Sequence, residues 1–373
     1  MTGIDFSVKS VPLGPIAAFT GNWVGYGFNT IFRPYGKERD TGCFPPSTKG
    51  QLNDAVLELN LTTETLSFSP NLGSIANRGF ETQEDIFLNG VPYLQSINDG
   101  TMLPARNIHF EPGIWLYVPA TTKPTHGVTL ARMASIPHGT AINAQGTFKS
   151  EAGKPVIDAV DITPRFVSNF EKVPYPAVLF PSLIATKQNT FRLPQNLAPY
   201  IAAGRITQCM LTDPNTVLRN QIADQNISET VRIDISTTPA APLFGGGLSN
   251  ISFLHGAPPR PNAQAVRMNA TFWIETVIYQ IKVPPISPGD APLVLSPMQT
   301  SSPVPLVPNF LVTIPHVEGK KFAGGAITMS TTQIQYSQEV ILNFGGFSWP
   351  HISVASLVPA APIPVPASLL LLT

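Results

Sequence analysis

Hydrophobic and polar side chains alternate with a period of two along most of this chain, and helical periodicity is hard to find anywhere. The clearest case is residues 106–120. Ile108, Phe110, Ile114, Leu116 and Val118 alternate with His109, Glu111, Trp115 and Tyr117, and Pro112–Gly113 interrupts the run. This pattern predicts two short strands joined by a bend or bulge, with aliphatics on one face. The other face carries His109, Glu111, Trp115 and Tyr117, a set able to line a pocket. A looser version recurs at residues 269–273. In residues 16–34, Gly21, Gly25 and Gly27 leave one strand face bare apart from Trp23. A bare face admits another backbone or a flat ligand, or lets a strand bend at a barrel corner.

Further strands are predicted at 57–69, with Thr62–Glu64 as a turn, and at 85–93, where Asn89–Gly90 is a tight-hairpin pair. Asp99–Gly100 closes another turn. Strands follow at 128–136, 141–149, 155–162, 326–336 and 339–344. A Gly345–Gly346 turn then leads to a last strand at 347–358. Many short strands with regular turns predict an all-β, antiparallel barrel or sandwich.

Two echoes share an offset of 166 residues. Asn60-Leu61-Thr62 returns as Asn226-Ile227-Ser228, and Phe87–Pro92 returns as Phe253–Pro258; Pro137-His138 is matched by Pro315-His316 at a longer spacing. Together they predict a duplication: a first β-barrel domain over 1–165, a connector over 166–199, a second β-barrel over 200–358 and a Pro/Leu-rich tail over 359–373. The connector is rich in Pro and aromatic residues, too apolar to float freely, so it is expected to pack across both halves, with a short helix at 182–189. Leu369–Leu372 are expected to pack on protein.

Charge narrows the classes. Lys plus Arg and Asp plus Glu each number 23, the formal net charge is zero and only 12% of residues are charged, about half the usual fraction. No basic field points to nucleic acid or an anionic membrane surface. A charge-poor surface favours homo-oligomers. Cys43 and Cys209 are the only cysteines, so neither a disulfide framework nor a cysteine zinc site is expected. No apolar run is long enough for a membrane span, the first residues do not read as a signal peptide, and a cytoplasmic location is expected.

Residues 21–27 fit GxWxGxG, residues 109–113 fit HxExG, and Pro350-His351 precedes a closing aliphatic strand. Together and in this order they resemble nitrobindin, a calycin-like antiparallel barrel related in shape to fatty-acid-binding proteins. The resemblance covers about a third of the chain. It implies His351 as the axial ligand of a haem iron, with Trp23, Gly21, Gly25 and Gly27 beside the pocket and His109 and Glu111 at barrel positions. The local pattern adds Trp349, which alternates with His351, and Trp115 as further lining residues.

The residues also have plainer readings. Trp23 and Trp115 serve equally as core plugs, and His351, His138 and His316 as strand-end or turn histidines. Glu111 near Arg106 or Arg132 reads as a salt-bridged carboxylate rather than a general acid. No P-loop, dinucleotide fingerprint, HExxH or GxSxG is present. The expected function is binding of haem or another flat hydrophobic small molecule, with nitric-oxide or peroxide chemistry at the iron. The alternatives are a haem-free carrier of a lipid-like ligand, or a structural homo-oligomer with filled barrels.

Overall fold

The computed structural model describes residues 11–33, 56–102, 104–174, 183–186, 195–243, 245–251, 263–297, 306–313 and 321–370. Ten strands carry the architecture: β1 (Gly21–Arg33), β2 (Val56–Phe68), β3 (Ile86–Asp99), β4 (Arg106–Val118), β5 (Thr129–Ile136), β6 (Thr140–Ala152), β7 (Asn226–Ser236), β8 (Gln264–Val283), β9 (Gly325–Phe344) and β10 (Phe347–Pro359). Each pairs antiparallel with the next, and β10 pairs with β1, from Trp23 against Pro359 to Thr30 against Ile352. This up-and-down barrel has no free edge along its closed part.

The two expected barrels are therefore one. β6 pairs with β7 across the supposed connector, Glu229 opposite Ala152, so the sheet runs unbroken from the first half into the second. The echoes do not mark equivalent places: Asn60 is buried in mid-strand opposite Asn29, whereas Asn226 is the exposed first residue of β7. Phe253–Pro258 and His316 lie outside the described residues.

Local turn signals also yield to the ladder. Thr62–Glu64 and Asn89–Gly90 sit inside continuous strands. Asn89 ties its own neighbour, accepting from Gly90 N at 2.8 Å, and its Nδ2 donates to Val11 O at 2.7 Å. Pro112–Gly113 does not split β4 either. β4 pairs with β5 only from Gly113 onward, so Pro112 needs no N–H on that side. Residues 155–162 are not a strand. Asp99–Gly100 and Gly345–Gly346 do turn the chain.

Two cores result. The inner one fills the barrel around Phe19, Trp23, Trp115, Phe272 and Ile334. The outer one lies where the β6–β7 connection wraps the wall: its helices α1 (Ala198–Ala202), α2 (Gln208–Thr212) and α3 (Thr216–Ile222), with Ile157, Val173 and Leu197, cover Phe28, Phe32, Leu59, Val277 and Val354. Strand segments between the two cores are dry on both faces, so 27–30 and 354–358 are buried throughout instead of alternating. Beyond the end of β3, the bare edge of β2 is capped by Gln195, which accepts from Leu59 N at 3.1 Å and donates to Leu59 O at 2.8 Å. The tail returns to the protein in part: Ile363 pairs parallel with Phe310 and Val365 and Leu370 are buried, but Leu369 is exposed, and Leu371 and Leu372 lie outside the described residues.

Candidate functional site

Period-two geometry aims alternate residues of every barrel strand inward, and contacts between non-adjacent strands show which residues meet in the lumen. At one end a 3-10 turn, Gly14–Phe19, plugs the barrel. Phe19 stacks on Phe68 at 5.0 Å, and Trp115 meets Phe272 of β8 edge-on at 5.1 Å. Trp23 is buried here and donates Nε1–H to Phe19 O at 2.7 Å.

Above this plug lies a polar layer. Arg132 Nη2 donates to Glu111 Oε1 at 2.5 Å, Nε to Tyr93 Oη at 2.8 Å, and Nη1 reaches across to Gln338 Oε1 at 2.7 Å. Tyr93 donates its hydroxyl to Glu111. Burial pushes the Glu111 carboxyl up, but Arg132 and His109 outweigh it and hold the pKa at about 2. Glu64, also wholly enclosed, accepts from Gln95 Nε2 at 2.6 Å and from the Tyr336 hydroxyl at 2.7 Å. Burial outweighs these two hydrogen bonds and the more distant His109, and carries its pKa up to about 7. Two lumen carboxylates thus stand in opposite protonation regimes.

The far end is the mouth, where side chains regain contact with water. His109 Nε2 lies 3.1 Å from Glu111 Oε2, and its ring centroid is 5.8 Å from that of His138. His351 projects from β10 beside Asn29 of β1. Asn29 Nδ2 is 2.9 Å from His351 Nε2 and donates to Ser353 Oγ at 2.9 Å. Burial, then the neighbouring His109 and His138, lowers the His351 pKa to about 3, so the imidazole is neutral. Asn29 is itself buried, and its Oδ1 has no partner. In either orientation of the amide, one of its two polar atoms stays unpaired.

The expected residues are thus divided. His109, Glu111 and His351 share the lumen. Trp23 and Trp115 belong to the opposite plug. Trp349 does not flank His351 at an open mouth: it is fully buried at the β9–β10 hairpin, 5.1 Å from Phe344 and 4.8 Å from Phe32, and donates its indole N–H to Phe344 O. Gly25 and Gly27 lie at the seam. A Cβ on Gly25 would stand 1.9 Å from Ser356 O, and one on Gly27 2.2 Å from Val354 O, so these bare positions let β1 approach β10. Glu64, Gln95 and Asn29 went unnoticed in the pattern. Their one signal is polarity on an otherwise apolar inward face, and Glu64 was masked by its turn-like neighbours.

No family model matches the chain, and comparison with curated proteins gives no match. Among solved structures, the crystal structure of Rv2717c from M. tuberculosis matches over 95% of this chain and 100% of that one, at 10% identity and a TM-score of 0.34. Among the described residues, no group of three or more His, Cys, Asp or Glu is placed to hold a metal ion, and no helix is long and apolar enough to cross a membrane.

Proposed function

We propose that the barrel binds a small, largely apolar molecule at its mouth, above the polar layer, and that His351 and Asn29 supply its polar contacts. The observation that carries this reading is the Asn29–His351 pair: a neutral imidazole beside a buried amide with one atom unpaired. Leaving such an atom unpaired is costly, and a ligand group that bonds to it removes the cost. Nε2 already accepts from Asn29 Nδ2, so Oδ1 is the open acceptor, and it favours a guest bearing a hydrogen-bond donor.

Haem, implied by the likeness to nitrobindin, meets half of this description. A neutral imidazole is the form that ligates iron, and His351 would hold it through Nε2 only after giving up the hydrogen bond from Asn29, the iron supplying diatomic-ligand or peroxide chemistry when bound. The aromatic walls do not fit, because Trp23, Trp115 and Trp349 are all spent in cores. The proposal is therefore the wider class, with haem as one member and a lipid-like guest as another. Titrating the protein with haem, and separately with an apolar fluorescent fatty acid, is the test. Saturable binding of either, weakened in His351→Ala, is expected. Absence of binding to both makes the lumen a filled structural core and ends the proposal.

A further inference from the structure

A cleft lies outside the barrel, on the outward face of β6–β9. Its volume is about 610 Å³, within the range of small-molecule sites. Its floor is built by strand register. Thr147, Asp234, Thr271 and Ser337 stand side by side across four strands, and Ser236, Asn269 and Glu339 form the next rung. Polar rungs at successive levels give a floor of hydroxyls, amides and carboxylates about 4.8 Å apart from strand to strand. One side wall is apolar, made by Pro239, Pro242 and Leu243.

The floor is organised before any guest arrives. Asp234 is held by Arg232, from Nε at 2.8 Å and from Nη2 at 3.0 Å, and accepts from Thr271 Oγ1 at 2.7 Å. Ser236 donates to Asn269 Oδ1 at 2.8 Å. The lining is also incompletely satisfied. Asn215 anchors its amide by donating Nδ2 to Asp158 O at 2.8 Å, yet its Oδ1 is buried without a partner. Trp273, which packs into the outer core, has a buried Nε1–H with no acceptor, and Gln145 Oε1 is likewise unpaired. One donor and two acceptors therefore border the cleft with their hydrogen-bonding capacity unused. Buried groups in this state are uncommon, and each is relieved by a partner that brings the complementary atom.

We propose that this cleft is a binding site for a neutral polyhydroxylated molecule, a saccharide of one or two rings. Hydroxyls both donate and accept, as the mixture of unpaired Trp273 N–H and Asn215 and Gln145 oxygens requires. A sugar ring also has an apolar C–H face, which matches the Pro239–Leu243 wall, while its hydroxyl rim meets the two rungs. Anions are disfavoured: Asp158, Asp234 and Glu339 line the cleft, Arg232 is the one guanidinium among its described lining residues and is committed to Asp234, and Arg267 reaches Glu339 only at 3.9 Å. This site is separate from the mouth of the barrel. It shares no residue with the Asn29–His351 pair, so either can exist without the other.

The test is isothermal titration of the full chain with glucose, maltose and cellobiose, alongside glucosamine as a cationic probe and glucose 6-phosphate as an anionic one. Saturable binding of at least one neutral sugar, with the phosphate weaker by about tenfold or more, is expected. Asp234→Asn and Ser337→Val, both on the outer surface, should each weaken that binding by about tenfold, the equivalent of one hydrogen bond. Both should keep the wild-type melting temperature. His351→Ala should leave sugar binding unchanged, which separates this site from the lumen. No saturable heat from any neutral sugar, preference for the phosphate or for the amine alone, or binding untouched in both variants would each overturn the assignment.

Discussion

Asn29 and His351, 322 residues apart in the chain, meet through a 2.9 Å hydrogen bond across the seam where the last barrel strand closes on the first. Burial and the two other histidines of the mouth keep this imidazole uncharged. The folded pKa lies below the ordinary value of 6.5, so the protein excludes a proton that the unfolded chain accepts. Stability from this group is full above about pH 6.5 and is lost as the pH falls toward 3. Melting curves from pH 8 down to pH 4 should fall more steeply for the wild type than for His351→Asn. Parallel curves would contradict the neutral assignment.

Glu64 has the opposite sign. Its pKa is raised from 4.5 to about 7, so the folded state favours the protonated acid. The associated stability is complete below pH 4.5 and disappears as the pH rises through 7. Glu64→Gln keeps the shape and removes the charge. It should be the more stable protein at pH 8, by up to roughly 3 kcal/mol, and indistinguishable from wild type near pH 4.

Glu111 and Arg132 form an enclosed ion pair, and removing one partner strands the other. Arg132→Ala is expected to cost about 3–5 kcal/mol in denaturant unfolding. Replacing both, as Arg132→Met with Glu111→Leu, should recover most of that loss. An equal deficit in the double variant would show that the pair itself, rather than the orphaned charge, stabilises the barrel.

The Gly25 seam is a steric prediction. Gly25→Ala places a methyl 1.9 Å from the Ser356 carbonyl oxygen, a backbone atom that cannot rotate away, and should cost about 2 kcal/mol or more. Gly127→Ala meets nothing within 4 Å and serves as the control, with an expected change within about 0.5 kcal/mol. Equal melting temperatures for the two variants would refute the close approach.

Trp115 touches Phe19 at 5.3 Å and Phe272 at 5.1 Å and is 1% exposed. Trp115→Ala should cost about 3–5 kcal/mol by opening a cavity in the plug. A loss below about 1 kcal/mol would mean that the plug collapses to fill it.

Alternation along 106–118 was enough to put His109, Glu111 and Trp115 on one face of a strand, because side chains reverse at every residue whatever lies beside them. The same local rule marked the bare glycine face of β1 and the hairpin at Gly345–Gly346. It says which face of a strand is dry, but not which strand is its neighbour. That choice belongs to register and closure, and it turned two expected barrels into one, with β6 running into β7 and β10 into β1. It also separated residues that are adjacent in pattern. Trp349 and His351 alternate correctly, yet the hairpin twists the indole into a cluster with Phe32 and Phe344 while the imidazole meets Asn29. Alternation failed where an outer layer dried both faces, at 27–30 and 354–358. The hydrogen-bond partners of the two carboxyls, Arg132 for Glu111 and Tyr336 for Glu64, lie 21 and 272 residues away in sequence. Electrostatic energy depends on distance in space, and only the closed barrel brings those groups within hydrogen-bonding reach.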